Sequence, residues 1–147
     1  MSAVLRTLKR EWGWTGVDFA TVLMVSRMGH LVVADADGTV HYLDTDTREL
    51  LRLGTEAQAE QYLADPEVQL VWRAEALVAA VRERLGATAP DEVYARTAEA
   101  MLNDTYDIQS FIKLPLTQLI SFTGQVAHQM RDMPEGTPVK LKAVLPS

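Results

Sequence analysis

Two runs of alternating residues joined by a tight polar turn leave a chain few ways to fold. Gly29 to Leu53, GHLVVADADGTVHYLDTDTRELLRL, holds such a pair followed by a third run. His30, Val32 and Ala34 fall on one face of the first run and Leu31, Val33 and Asp35 on the other, while Val40 and Tyr42 oppose His41 and Leu43 in the second. Asp35-Ala36-Asp37-Gly38-Thr39 supplies the turn between them, and Asp44-Thr45-Asp46-Thr47 leads into Glu49-Leu50-Leu51-Arg52-Leu53. The pattern predicts a three-stranded antiparallel meander. Neither face is wholly polar, so helices are expected to cover one of them.

The flanking segments show helical spacing. Val4, Leu5, Leu8 and Trp12 form a stripe behind Ser2 as N-cap, with Arg6, Lys9, Arg10 and Glu11 outside it. Thr15-Gly16-Val17-Asp18 has the capping-box pattern and predicts a second helix carrying Phe19, Val22, Leu23 and Met24, ended by Gly29. Trp12 and Trp14 are read as large rings docked on the core rather than as a stacking platform for a ligand. Thr55-Glu56-Ala57-Gln58 starts another helix, to about Ala64. Asp65 and Pro66 restart the chain, and Val71, Ala74, Val78, Val81 and Leu85 form the longest periodic stripe, closed by Gly86, with Arg73, Glu75, Arg82, Glu83 and Arg84 on its solvated face.

Between Ala87 and Leu114 the pattern is weaker: a strand around Asp91-Glu92-Val93-Tyr94, a turn of helix within Arg96 to Leu102, and a strand over Tyr106 to Ile112. Pro115 reads as the first residue of a helix bearing Leu116, Leu119, Ile120, Thr123, Val126, Ala127, Met130 and Met133. Gly124 in its middle costs about 1 kcal/mol relative to Ala, which implies either a close backbone contact there or a helix that starts later. Met133 to Pro138 reads as a turn, and Val139, Leu141, Ala143 and Leu145 as a last strand. The expectation is one α+β domain over 1–147, an antiparallel meander packed against amphipathic helices: N-terminal helices 1–28, meander 29–53, helices 55–86 and a mixed strand-helix-strand part 87–147.

Composition removes several kinds of chemistry. Fourteen Lys and Arg against twenty Asp and Glu give a formal charge of -6, which argues against binding a nucleic-acid backbone and suits a basic partner. There is no Cys, hence no disulfide, thiolate metal site or thiol nucleophile. With no apolar run long enough to span a bilayer and no secretory leader pattern, the chain is expected in the cytoplasm. His30, His41 and His128 lack metal-site spacing and read as half-buried polar residues. Asp35, Asp37, Asp44, Asp46 and Glu49 crowd the two turns, but without the spacing of a calcium loop they read as turn formers. With no glycine-rich phosphate loop and no GxSxG elbow, no enzyme, cofactor or metal is expected.

Two segments carry a resemblance. GHLVVADADGTVHYLDTDTREL resembles a signature of a hydrophobic run, then D-G-x-V-H-(Y/W)-L-D-T, on Gly38, Val40, His41, Tyr42, Leu43 and Asp44. GQVAHQMRDMPEGTPV resembles a second signature ending in D-(L/M)-P-x-G-T, on Gly124, Gln125, His128, Gln129, Asp132, Pro134, Gly136 and Thr137. Both are similar to the C-terminal domain of bacterial type VI secretion immunity proteins that neutralise DNase effectors, over about Met24 to Val144 and with Trp72 and Tyr94 in the right order. The chain departs from that pattern at Ala95 to Asp104, where the family shows a K-x-P-x-x-L-G-G loop.

The resemblance implies a protein that binds a cognate secreted antibacterial toxin, a nuclease effector, and blocks its active site. Nucleases are basic around their substrate groove, so an acidic surface including Asp35, Asp37, Asp44, Asp46 and Glu49 is the expected partner-binding region. The alternative is a non-catalytic binding or scaffold module of the same fold with no toxin partner.

Overall fold

A computed structural model describes residues 2–131. The predicted turn at 133–138 and last strand at 139–145 lie outside the described residues. The meander comprises β2 (Leu31–Asp35), β3 (Val40–Asp44) and β4 (Glu49–Gly54), and β1 (Phe19–Val25) completes an antiparallel sheet in the order β1-β2-β3-β4. The register sets Leu31 opposite Leu43, Val32 opposite Tyr42 and Ala34 opposite Val40. Since side chains alternate across a strand, this register sends two apolar rows to opposite faces.

Helices cover both faces rather than one. Leu31, Val33 and Leu43 pack with Leu8 and Trp12 of α1 (Ser2–Trp12) and with Leu119, Ile120 and Val126 of α6 (Leu116–Met130). Val32, Val40 and Tyr42 pack with Ala59 and Leu63 of α2 (Glu56–Leu63) and with Trp72 of α3 (Pro66–Arg73). A separate two-stranded antiparallel sheet joins β5 (Glu92–Arg96) to β6 (Phe111–Pro115). α4 (Glu75–Leu85) covers it through Val81, packed with Tyr94 and Phe111. The chain is therefore α+β, with the core centred between the meander and α6.

The capping box at Thr15 does not open a helix. Trp12 leads through a short 3-10 turn over Gly13–Thr15 to Gly16, whose φ is +88°, and the chain then enters β1. Irregularities between Phe19 and Thr21 and between Val22 and Met24 shift the pairing of β1 with β2. Phe19, Val22 and Val25 consequently pack toward the main core at intervals of three, where a regular strand alternates at two. That spacing imitates a helical stripe.

The long helix expected from Pro66 to Gly86 is broken at Ala74, a non-glycine residue with φ 42° and ψ 44°. α3 must lay Trp72 against the meander, while α4 must lay Val81 against the second sheet; a straight helix does not serve both. Val71, expected on the buried stripe, is consequently exposed. Arg84, expected to be solvated only, donates to the carbonyls of Ile108 and Gln109 and so ties α4 to the chain entering β6.

The strand expected over Tyr106 to Ile112 starts later. Asp107 caps a 3-10 turn at Ile108–Ser110, and β6 follows. The predicted helical turn near Leu102 is α5 (Ala98–Leu102), capped by Thr97. Pro115 precedes α6 as its N-cap instead of standing at the first helical position.

At Gly124 the inferred close contact is present. A Cβ there would stand 2.6 Å from the Glu11 carbonyl oxygen and 2.8 Å from the Trp12 ring nitrogen. The same crossing is held by the Trp12 indole N–H donating to the Ile120 carbonyl at 3.1 Å, and by Ser121 and Gln125 donating to the Glu11 carboxylate. Trp14 stacks between Trp12, with ring centroids 6.0 Å apart, and His128, at 4.9 Å, so both tryptophans serve the packing of α1 on α6.

Gly124→Ala separates intrinsic propensity from packing. Ala is the better helix former by about 1 kcal/mol. Displacing backbone of α1 by overpacking costs about 1–3 kcal/mol, so the variant is expected to unfold at lower urea concentration than the wild type. A midpoint equal to or above that of the wild type would contradict the close packing of α1 on α6.

Candidate functional site

Residues 45–48 form the turn between β3 and β4, and this turn with the strand ends that flank it, Asp44 and Glu49, carries three of the five predicted acids. Asp44 Oδ1 accepts from the amides of Asp46 and Thr47, both at 3.0 Å, and lies 3.4 Å from His30 Nε2. The other ring nitrogen of His30 is 2.8 Å from the Tyr42 hydroxyl, a chain that lines up Tyr42, His30 and Asp44. Burial first, then the charge of Asp44, pushes the Tyr42 hydroxyl well above its ordinary range. Thr45 donates to the Gly29 carbonyl at 3.0 Å, joining this turn to the one between β1 and β2.

Asp46 is committed on both oxygens. Arg96 Nε donates to Oδ1 at 2.7 Å and the Tyr106 hydroxyl to Oδ2 at 2.7 Å. Arg96 is 2% exposed and sits at the end of β5. Its Nη1 donates to the carbonyls of Ala100 and Thr105, at 3.2 and 3.0 Å, and its guanidinium carbon lies 3.8 Å from the centre of the Tyr106 ring. A carboxylate, two carbonyls and an aromatic face thus replace the hydration of a buried cation. Asp104, 3.5 Å away but 83% exposed, adds a screened contribution.

These groups border a cavity of about 360 Å³ between the β3–β4 turn, the α3–α4 break and the β5–β6 sheet. His30, Asp44, Thr45, Asp46, Thr47, Arg96 and Tyr106 contribute polar side chains; Val71, Leu77, Met101 and Leu119 contribute apolar walls. Val71 and Tyr106 are 57% and 56% exposed, so the rim presents apolar surface to solvent. Among the described residues, three non-glycine positions have positive φ: Arg48, Ala74 and Asp104. Ala74 lines the cavity, Arg48 belongs to the β3–β4 turn and Asp104 neighbours Arg96, so the uncommon backbone conformations gather around one place.

The remaining predicted acids are elsewhere. Asp35 and Asp37 occupy the β2–β3 turn at the other end of β3, on the order of 13 Å away at the rise of a strand. Asp35 accepts from the amides of Asp37 and Thr39, at 2.9 and 3.1 Å, and from His41 Nε2 at 2.9 Å. His30 and His41, expected to be half-buried, are buried, and each pairs with an aspartate. Asp37 and Glu49 are exposed. Among the described residues no group of three or more His, Asp or Glu side chains could hold a metal ion. Sequence reasoning missed Arg96 and Tyr106 because each reaches Asp46 across 50 or more residues of chain, a pairing no local pattern records.

Two measurements check this geometry. Asp46→Ala leaves the Arg96 guanidinium buried without its carboxylate, an arrangement that costs about 3–5 kcal/mol, whereas Asp46→Leu combined with Arg96→Met should recover most of the loss in urea unfolding. An unchanged midpoint for Asp46→Ala would contradict the pairing. At the other turn, the hydrogen bond from His41, opposed by desolvation and reinforced by the Asp37 and Thr39 amides, holds the Asp35 carboxyl below its usual range. Because folding lowers this pKa, the stabilisation is present above the unfolded carboxylate pKa, about 3.9, and is lost as pH falls through the folded value. Asp35→Asn should therefore lower the urea midpoint at neutral pH and flatten its fall in acid, and an acid limb identical to the wild type would rule this out.

No protein-family model and no curated protein matches this chain, which leaves its own residues to indicate what the cleft does.

Proposed function

We propose that this chain is an immunity protein that binds a cognate secreted antibacterial toxin, a nuclease effector, in the cytoplasm and occludes its active site. The observation that carries the reading is the cleft beside the β3–β4 turn, where acidic side chains on a rigid turn adjoin an open cavity with an exposed apolar rim. Preformed turns lose little conformational freedom on association, and the apolar rim offers surface to desolvate. A formal charge of -6 favours encounter with a basic nuclease groove.

The resemblance to the type VI secretion immunity family supports the same reading, and several matched positions among the described residues have structural work. Val40 and Tyr42 lie in the core, His41 holds Asp35, and Gly124 permits the α1–α6 crossing. These four act within the fold, whereas Asp44, also a matched position, borders the cavity. Residues 95–104, where the chain departs from the family's loop, supply Ala95, Arg96 and Met101 to the cavity. A wall that differs from relatives is what recognition of a different cognate toxin requires.

Two levels of test apply. Co-expression with a cognate nuclease effector should restore growth to intoxicated cells, and the two chains should co-purify in equal amounts; a chain that rescues nothing and purifies alone favours a scaffold module. For the electrostatic part, the folded structure narrows which acids can be reversed. Asp35, Asp44 and Asp46 hold turns, histidines and Arg96, so charge reversal belongs at exposed Asp37 and Glu49. Asp37→Lys with Glu49→Lys should slow association several-fold at low salt and flatten its dependence on ionic strength. Unchanged rate constants would remove both acids from the steering surface.

A further inference from the structure

The cavity has a charge imbalance that points to its occupant. Two carboxylates and one guanidinium line it, and the guanidinium of Arg96 is already matched by Asp46 at 2.7 Å. Among the described residues, Asp44 has no guanidinium or ammonium partner in the cavity, only the His30 imidazole at 3.4 Å. Its contacts with His30, Asp46 and Thr47 all engage Oδ1, and its side chain is 23% exposed at the edge of the cavity. The same cavity has an apolar side: Val71 and Tyr106, both exposed, with Leu77 and Met101. Apolar lining beside a partly exposed carboxylate fits a side chain with a long aliphatic stem and a cationic head.

We propose that the cavity receives an arginine or lysine side chain projecting from the bound protein, its stem against Val71, Leu77 and Met101 and its head at Asp44. This rests on the reading of the chain as a toxin-binding immunity protein and names the point of contact within it. About 360 Å³ lies at the lower end of the range of small-molecule pockets, room for one long side chain and not for a folded element. The surrounding groups are held before binding, Asp44 by its turn amides and Tyr106 by Asp46, so the head group meets an acceptor that is already oriented. A buried, centrally placed cationic side chain paired with a carboxylate is a common anchor of protein interfaces.

The test places a guanidinium at the mouth from the immunity side. Val71 and Thr47 both line the cavity and are exposed, so Val71→Arg and Thr47→Arg should fold with unchanged urea midpoints. Leu23 is half exposed on β1, outside the cavity lining, and Leu23→Arg is the matched control. Binding of each purified chain is measured by calorimetry against the nuclease effector that it protects against in the co-expression test, carrying an inactivating substitution. The proposal predicts a loss of affinity of at least about tenfold for both mouth variants, with Leu23→Arg within about twofold of wild type. Full affinity in both mouth variants, or an equal loss in all three, overturns the cavity as the contact while the immunity reading stands. No binding by the wild-type chain removes both.

Discussion

The packing of this chain depends on how a buried arginine is accommodated. Arg96 ends a strand of the small sheet, almost wholly removed from solvent, and its partner Asp46 lies in a turn of the large one. Desolvating both groups costs several kcal/mol per ion, recovered only where geometry is good and the remaining protons are satisfied. Here they are, by two carbonyls of the 100–105 segment and by the Tyr106 ring. The pair consequently does more to fix an arrangement than to add net stability. It sets the β3–β4 turn against β5, and with the backbone bond from Tyr94 to Arg27 and the Thr45 to Gly29 contact it sets the spacing of the two sheets. The cleft is the space left between elements held in this way.

What was legible in the sequence follows the range of the interactions involved. The meander could be read because its register is written in alternation and in Asp-Gly turn chemistry, and the Thr55 and Asp65 caps because each bond closes within three residues. β1 was misread because its bulges turn a period of two into a period near three, and only the presence of β2 as a partner decides between strand and helix. The helix break at Ala74 has no local signal, as no glycine or proline marks it. Tertiary demand from two different packing surfaces overrode a continuous stripe. Gly124 was the opposite case: a local cost in the middle of a good helix pointed to a long-range contact, and α1 supplies it.

The candidate site was half legible. The acids of the two turns were visible as a group in sequence, but β3 separates them into an Asp35–Asp37 end and an Asp44–Glu49 end. Most of them act first as structure, capping turn amides and pairing with His41, His30 or Arg96. That division bears on the proposed function: an acid already holding a turn amide or Arg96 is fixed in place, whereas Asp37 and Glu49 lie open to solvent, where the proposed long-range steering would act. The apolar rim at Val71 was hidden for the same reason as the break at Ala74, since continuing the stripe would have buried it.

The central proposal is that the face built around the β3–β4 turn and the α3–α4 break is the one that meets a protein partner. Amide hydrogen exchange of the chain alone and bound to the proposed nuclease effector tests that claim most directly. The account predicts slowed exchange on binding at residues 44–49 and 70–77, with α1 and the β2–β3 turn near their free-state rates. Slowing confined to the α1–α6 surface, with residues 44–49 unchanged, would contradict it.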